Sequence, residues 1–274
     1  MGLPYRDLHV HTHHSHDNRD PEATMGNLAR WGAEGGVAVG FADHLDARHF
    51  AEPDLWATED NIGAYLEEFD ETRSQYPETT LGVELEFFPD RPDLMELTRE
   101  WLDRHRRDLH RVLGSAHFVY GDYAVTWHVH LRQLVGVRTF EEIMDEYLRG
   151  ERDMVASGIA DCLPHANVVF RGHRGIFEVP PEVERRGTEE VMALCRDAMA
   201  RGMAVECNLL GMVDDSHPDP SPTWAMLEEL AGQGATLYVA SDAHNMEGFR
   251  RALPLVIEAH ERLAGAGARF LTSP

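Results

Sequence analysis

Short β-branched or apolar runs alternate with amphipathic stretches along almost the whole chain, and this alternation most constrains the fold. We predict seven strands, over Tyr5–His9, Val37–Phe41, Thr80–Leu85, Arg111–Ala116, Ile159–Leu163, Ala204–Cys207 and Thr236–Ala240. Helices are predicted between them, over Glu22–Glu34, Asn61–Tyr76, Pro92–Leu109, Phe140–Ser157, Thr188–Arg201, Pro222–Gly232 and Glu247–Leu263. Because a helix follows each strand, we expect a parallel sheet that right-handed crossovers close into a barrel.

The composition is typical of one globular domain. The chain has 274 residues, of which 43% are hydrophobic, so it can bury a sizeable core and is not disordered. No linker rich in Pro, Gly or Ser divides it, and we therefore predict a single domain over residues 1–274. Gly121–Gly136 is the longest irregular insertion, which we expect to form a loop over the active face.

The charge balance restricts the partners. A net charge of -23 repels phosphodiester backbones, so we expect no nucleic-acid partner. All 25 basic residues are arginine, which excludes chemistry that needs a lysine amine and leaves arginine as the strong phosphate ligand.

Location signals favour the cytoplasm. No apolar run approaches the ~20 residues of a membrane span, and no signal sequence follows Met1, so we expect no membrane partner. The three cysteines, Cys162, Cys195 and Cys207, are an odd number without C-x-x-C spacing. This pattern is typical of buried thiols in a reducing compartment.

Side chains that can bind metals follow every predicted strand. In chain order they are His9, His11 and Asp17; Asp43 and His44; Glu84 and Glu86; His117; His165; Glu206 and Asn208; and Asp242 and His244. The carboxyl ends of parallel strands in such a barrel meet on one face, where active sites are built. Scattered surface histidines would not follow strand ends in this way, so we predict a polynuclear metal centre.

The segment that begins at His9-Val10-His11 carries five histidines within eight residues. Imidazole suits Zn²⁺, Fe²⁺ and Mn²⁺, and a nearby carboxylate widens the choice toward Fe²⁺ and Mn²⁺. Either Asp17 or its neighbour His16 could supply a further ligand. His13 and His14 could be partners of the true ligands or solvated neighbours.

The ordered motifs resemble those of the polymerase-and-histidinol-phosphatase (PHP) family, and within it the histidinol-phosphatase branch. They are His-x-His-Thr, the Asp-His pair, Gly-Val-Glu, Gly-Ser-x-His, an isolated His on the fifth strand, Glu-x-Asn and Ser-Asp-Ala-His. The resemblance runs from Asp7 to His244, and it is the order of the whole set that makes it specific. It implies a distorted seven-stranded βα barrel that holds two or three divalent ions, Zn²⁺, Mn²⁺ or Fe²⁺.

The resemblance also implies which residues bind each ion. One ion would take His9, His11, Glu84 and Asp242, and a second would share Glu84 and take His117 and His165. A third would take Asp17, His44 and His244. Glu86 would support these ligands from behind.

The activity that the resemblance implies is that of a metal-dependent phosphomonoesterase in histidine biosynthesis. It would hydrolyse a small phosphorylated metabolite, with L-histidinol phosphate as the best candidate, by attack of a metal-bridging hydroxide. Catalytic roles would belong to Asp242, Arg171 and His244, and substrate contacts to Arg171, His117 and Asn208. Arg171, six residues after His165, would hold the phosphate with its guanidinium. The general acid and the oligomeric state are left open.

Departures from the branch lie around the substrate and leave two other activities open. Phe170, Asn167 and the Leu209-Leu210 pair replace more polar residues of the branch. One alternative is a PHP phosphodiesterase or nuclease acting on nucleotides or nucleoside bisphosphates, although the second motif, residues 42–46, is closer to the phosphatases. The other is a metal-dependent C–N hydrolase, whose usual carboxylated lysine this chain lacks.

Overall fold

The computed structural model describes residues 2–173 and 175–271. The strands are β1 (Tyr5–Val10), β2 (Val37–Leu45), β3 (Thr80–Glu86), β4 (Arg111–Ser115), β5 (Phe118–Val119), β6 (Tyr123–Ala124), β7 (Cys162–Leu163), β8 (Ala204–Asn208), β9 (Thr236–Ala240) and β10 (Arg269–Phe270). The helices are α1 (Met25–Glu34), α2 (Ile62–Gln75), α3 (Pro92–His105), α4 (His128–Leu134), α5 (Phe140–Ser157), α6 (Val169–Gly172), α7 (Pro181–Ala200), α8 (Leu210–Val213), α9 (Trp224–Gly232) and α10 (Met246–Gly265). Short 3₁₀ turns cover Ala47–His49 and Arg106–Asp108.

The main sheet is parallel, as predicted, with the order β1-β2-β3-β4-β7-β8-β9-β10. The expected count of seven strands is corrected to eight, because β10 pairs with the start of β9. Two residues are too few to show an alternating pattern, so β10 could not be predicted from the sequence. The fifth predicted strand, Ile159–Leu163, is also shorter and begins at Cys162.

The sheet curls so that its first strand meets the end of β9. Val10 bridges to Ala243, and the His11 amide donates to the Ala243 carbonyl over 3.1 Å. The Asp242 amide donates to the His9 carbonyl over 2.9 Å. These contacts bring residues from the two ends of the chain to one face of the sheet.

Helices cover the outer face of the sheet, and small or flat side chains fill its inside. The inner cluster consists of Leu8, Ala42, Leu113, Cys162, Ala204, Tyr238 and Ala240. On the outside, a Cβ at Gly32 would lie 2.7 Å from the carbonyl oxygen of Val37, so glycine lets α1 lie directly on β2. Thr139 and Glu142 form a capping box that starts α5, which matches its predicted bounds.

The insertion at Gly121–Gly136 is more ordered than the predicted loop. The β5–β6 hairpin leads into α4, and three large hydrophobic side chains of the insertion are exposed: Trp127, Val129 and Val135. The chain around Trp127 lies beside the carboxyl ends of β2, β3 and β4, because Trp127 lines the same cavity as His44, Glu84 and His117. Across residues 2–173 and 175–271, no helix combines the length and apolar character that crossing a bilayer requires.

Candidate metal centre

Glu84 is the shared centre of the strand-end histidines. Its carboxylate lies at the end of β3 with 1% of the side chain exposed. One oxygen, Oε1, is 2.8 Å from His165 Nε2 and 3.6 Å from His117 Nε2. The other, Oε2, is 3.1 Å from His44 Nδ1 and 3.3 Å from His9 Nε2. Because β2 and β3 run in register with His44 opposite Glu84, backbone pairing itself creates part of this arrangement.

The first ligand group joins the end of β1 to the segment after β9. His9, His11 and Glu84 each offer a ligand atom within 4.8 Å of the others. Asp242 Oδ1 lies 3.2 Å from His11 Nε2 and 3.9 Å from His9 Nε2. The structure therefore brings together the four residues of the first predicted ion.

The second ligand group contains Glu84, His117 and His165. The Nε2 atoms of the two histidines are 3.3 Å apart. Glu86 accepts a hydrogen bond from the His117 amide and lies 2.8 Å from its Nδ1, which fixes the imidazole. His165 has a φ of 24°, an uncommon backbone conformation that turns its side chain toward Glu84.

The third ligand group contains His11, Asp17, His44 and His244. Asp17 Oδ2 lies 3.2 Å from His44 Nε2 and 3.1 Å from His244 Nε2. Asp17 and His16 were both open as the ligand, and only Asp17 belongs to this group. The His16 ring instead stacks on His49, with 4.7 Å between centroids.

The imidazole orientations fit bound cations. Nδ1 of His9 lies 2.8 Å from Glu206, and Nδ1 of His11 lies 3.0 Å from the Ser15 hydroxyl. If these Nδ1 atoms carry the protons, the two Nε2 atoms face each other as bare lone pairs only 3.1 Å apart. Lone pairs that converge in this way are favourable when a cation lies between them, and a hydrogen-bonded Nδ1 is the usual support of a histidine ligand.

The charges of the centre also fit bound cations. Burial alone would raise the pKa of Glu84, but His9, His44 and His165 hold it well below its usual value. Burial would likewise lower the pKa of His44, yet Asp17 and Glu84 raise it to about 10. The carboxylates therefore favour a proton on His44, which a divalent ion can replace, whereas burial, His244 and His44 lower the pKa of His11 to about 3.

Two carboxylates have positioning roles that the sequence analysis did not assign. Glu206 lies 2.8 Å from His9 Nδ1 and accepts from the His165 amide over 2.7 Å, so it orients ligands of two groups. Asp43 accepts from the amide and hydroxyl of Thr12 and from the Tyr65 hydroxyl, which fixes the segment after β1. Glu206 could have been identified from the sequence, because it lies two residues before Asn208 on a predicted strand, and this spacing places both side chains on the same side of β8.

A cavity of about 270 Å³ opens over the Glu84 centre, and Arg171 of α6 lines it together with metal-group residues. The atom Nη1 of Arg171 is buried and has no hydrogen-bonding partner among the described residues. Asn208, expected to contact substrate, is fully buried, and its amide donates to Asp242 over 3.0 Å. Its place is behind Asp242 and outside the residues that line the cavity.

A second pocket, of about 320 Å³, adjoins the first and shares three of its lining residues, His44, His117 and Trp127. Asp46, Asp122 and Phe118 add acidic and aromatic surface to it. The centre therefore has a compact cavity above the ligand groups and a neighbouring space for a small organic group.

No family model and no curated protein matches this chain. Solved structures do match it, among them two with a TM-score of 0.71 each. One is a protein of Listeria monocytogenes with a provisional assignment as a histidinol phosphatase, at 16% identity over 89% of this chain and 96% of that one. The other is histidinol phosphate phosphatase of Lactococcus lactis, solved with zinc, L-histidinol and phosphate, at 18% identity over 99% of this chain and 97% of that one. The chain therefore has the fold of these histidinol phosphatase structures, as its motifs predict.

Proposed function

We propose that this chain is a metal-dependent phosphomonoesterase, and that its substrate is a small phosphorylated metabolite such as L-histidinol phosphate. One observation carries the proposal: Arg171, whose Nη1 has no hydrogen-bonding partner among the described residues, lines the same cavity as Glu84, His117, His165 and Asp242. An anion-binding group beside a cluster of metal donors suits a phosphate ester. We further propose that residues 1–274 form one catalytic domain in the cytoplasm.

The ligand groups define where ions would be held. The first would use His9, His11, Glu84 and Asp242, the second Glu84, His117 and His165, and the third Asp17, His44 and His244. When bound, Zn²⁺, Mn²⁺ or Fe²⁺ supplies Lewis acidity toward phosphate oxygens and lowers the pKa of a coordinated water.

The other side chains act by position. Arg171 would hold the phosphate oxygens, and its planar guanidinium fixes the orientation of the ester. Asn208 donates to Asp242 Oδ2, which leaves Oδ1 directed toward His11. His244 Nε2 lies 3.1 Å from Asp17, which holds the His244 ring at the edge of the cavity. His117 borders both pockets, which is the place for a contact with the ester.

The substrate class follows from the size and lining of the two pockets. The cavity with Arg171 suits a phosphate group, and the adjoining pocket suits a small leaving alcohol that contacts Trp127 and Asp122. The Lactococcus lactis protein, which shares this fold, was solved with L-histidinol and phosphate. This pairing supports histidinol phosphate as the first compound to assay.

The test is release of inorganic phosphate from a panel of esters by protein stripped of metal and then reloaded. We expect no turnover without metal, and recovery with Zn²⁺, Mn²⁺ or Fe²⁺ on histidinol phosphate. Full turnover by metal-free protein would overturn the proposal. Faster cleavage of a nucleoside bisphosphate or a phosphodiester would favour the PHP phosphodiesterase, and turnover of an amide or cyclic ureide alone would favour the C–N hydrolase.

A further inference from the structure

A fourth group of metal donors lies outside the Glu84 centre. His13 and His14 follow β1, and Glu68 projects from α2 toward them. One ligand atom from each lies within 4.8 Å of the others. His14 Nε2 is 2.7 Å from Glu68 Oε2, and His13 Nε2 is 3.9 Å from the same oxygen.

These distances suit a tetrahedral ion. Two donors bound to Zn²⁺ at 2.0–2.2 Å lie about 3.4 Å from each other. The observed separations of 2.7 and 3.9 Å fall on either side of that value, so small side-chain rotations would complete the geometry. Two imidazoles and one carboxylate, with a water in the fourth position, form a common zinc donor set.

The three side chains are already held in place. Glu68 Oε1 accepts from the Met25 amide over 3.0 Å, which directs Oε2 toward the histidines. The His14 amide donates to the Thr12 hydroxyl, and Tyr65 meets the His14 ring edge-on. The His13 amide donates to the Ala23 carbonyl over 2.9 Å. Little conformational freedom would therefore be lost on binding.

An ordinary ion pair explains only part of this arrangement. It accounts for His14 and Glu68, but the His13 ring lies beyond hydrogen-bonding distance of Glu68. Nε2 is the His13 nitrogen that faces Glu68, and the buried Nδ1 of the same ring has no hydrogen-bonding partner among residues 2–173 and 175–271. The two imidazoles also lie close together, with 4.1 Å between centroids and an angle of 37° between their planes.

We propose that His13, His14 and Glu68 bind one further divalent transition ion, of which Zn²⁺ is the best match. The side chains are 32%, 22% and 26% exposed, so the ion can enter from solvent. The site ties α2 to the segment after β1. Its direct neighbour Ser15 contacts His11 Nδ1 and the His44 amide, so the ion also steadies the support of the Glu84 centre.

The test counts zinc in holoprotein dialysed against a zinc buffer, and compares wild type with a double variant, His13→Asn with His14→Asn. We expect the double variant to hold one equivalent of zinc less than the wild type. His49→Asn is the matched control, since His49 pairs with Glu52 at 2.6 Å but has no second imidazole on that carboxylate. Equal zinc in wild type and double variant, or the same loss in the control, would overturn the proposal.

Two further measurements keep the test decisive if the double variant does not fold. Glu68→Gln keeps the shape of the side chain, and we expect it to lose the same equivalent. In crystals of the wild type soaked with zinc, we expect an anomalous peak between the three side chains. Zinc at the Glu84 groups without this peak would refute the fourth site, and neither readout depends on the proposed enzymatic activity.

Discussion

The ligand groups around Glu84 and the rim of the cavity are built in different ways. The ligands lie at strand ends, where backbone register and buried partners such as Glu206 and Glu86 fix them. The rim residues Arg171 and Trp127 come from a short helix and from an insertion between strands. On the proposed function, the sheet would determine the class of chemistry, whereas the connecting segments would determine which ester is accepted.

The largest effect expected from this contrast is that of Glu84→Gln. The change removes a carboxylate whose oxygens lie within 3.6 Å of a ring nitrogen of each of five histidines. We expect loss of bound metal and a fall in kcat/KM of at least about 10³-fold. Metal analysis and phosphate release would measure both.

Glu86→Gln is the matched control on the same strand, because Glu86 only supports His117. Its expected cost is about 10–100-fold in metal affinity. Equal effects of the two variants would show that Glu84 is not the shared ligand.

Arg171→Ala should give the next largest effect, confined to the rim. Loss of the guanidinium should raise KM for a phosphate monoester by about 10–100-fold, the value of a charged hydrogen bond. The metal content should not change. Arg185→Ala, an exposed arginine paired with Glu189, should leave KM at the wild-type value. Loss of metal from Arg171→Ala would show that Arg171 supports the ligand groups and does not act only at the rim of the cavity.

Trp127→Ala should change the preference between esters and not the metal centre, since Trp127 lines both pockets. We expect KM to rise by about 3–10-fold for esters of bulky or aromatic alcohols, the range of an aromatic contact. A small ester should show no change. Val129→Ala, in the same insertion and 60% exposed, is the control. A uniform effect on all esters would place Trp127 in a structural role.

The smallest expected effect concerns pH and the layer behind the centre. Burial raises the pKa of Glu151 from 4.5 to about 8, and its Oε1 accepts from the Ala116 amide. Folding therefore keeps a proton on Glu151 that the unfolded chain releases, and wild-type stability falls as pH rises from 4.5 to 8. Glu151→Gln cannot lose stability in this way. The difference in the free energy of unfolding between Glu151→Gln and wild type should therefore grow in favour of the variant by at least about 1 kcal/mol as pH rises from 4.5 to 8.

Denaturant unfolding of Glu151→Gln and wild type at several pH values would measure this difference in the free energy of unfolding. Glu182→Gln, on an exposed residue, should give none at any pH. A constant difference between Glu151→Gln and wild type would show that Glu151 titrates normally.

The contrast between strand ends and connecting segments also explains what could be predicted from the sequence. A polar residue directly after an apolar run marks a strand end, so His44, Glu84 and His165 could be identified as neighbours in space. The two-residue β10 and the β5–β6 hairpin lie below the length at which periodicity shows. The hydrogen bond from Asn208 to Asp242 could not be predicted, because a side chain's place on a strand does not reveal which partner its amide will bind.

The junction between β1 and the segment after β9 has a consequence for biosynthesis. Asp7 accepts from the Ser241 amide, a contact between residues 234 positions apart, and the neighbouring His9 and Asp242 join in the same way. A ribosome therefore releases Asp7 234 residues before Ser241. An ion held by His9, His11, Glu84 and Asp242 would bind only after the segment that follows β9 has been synthesised and has met β1.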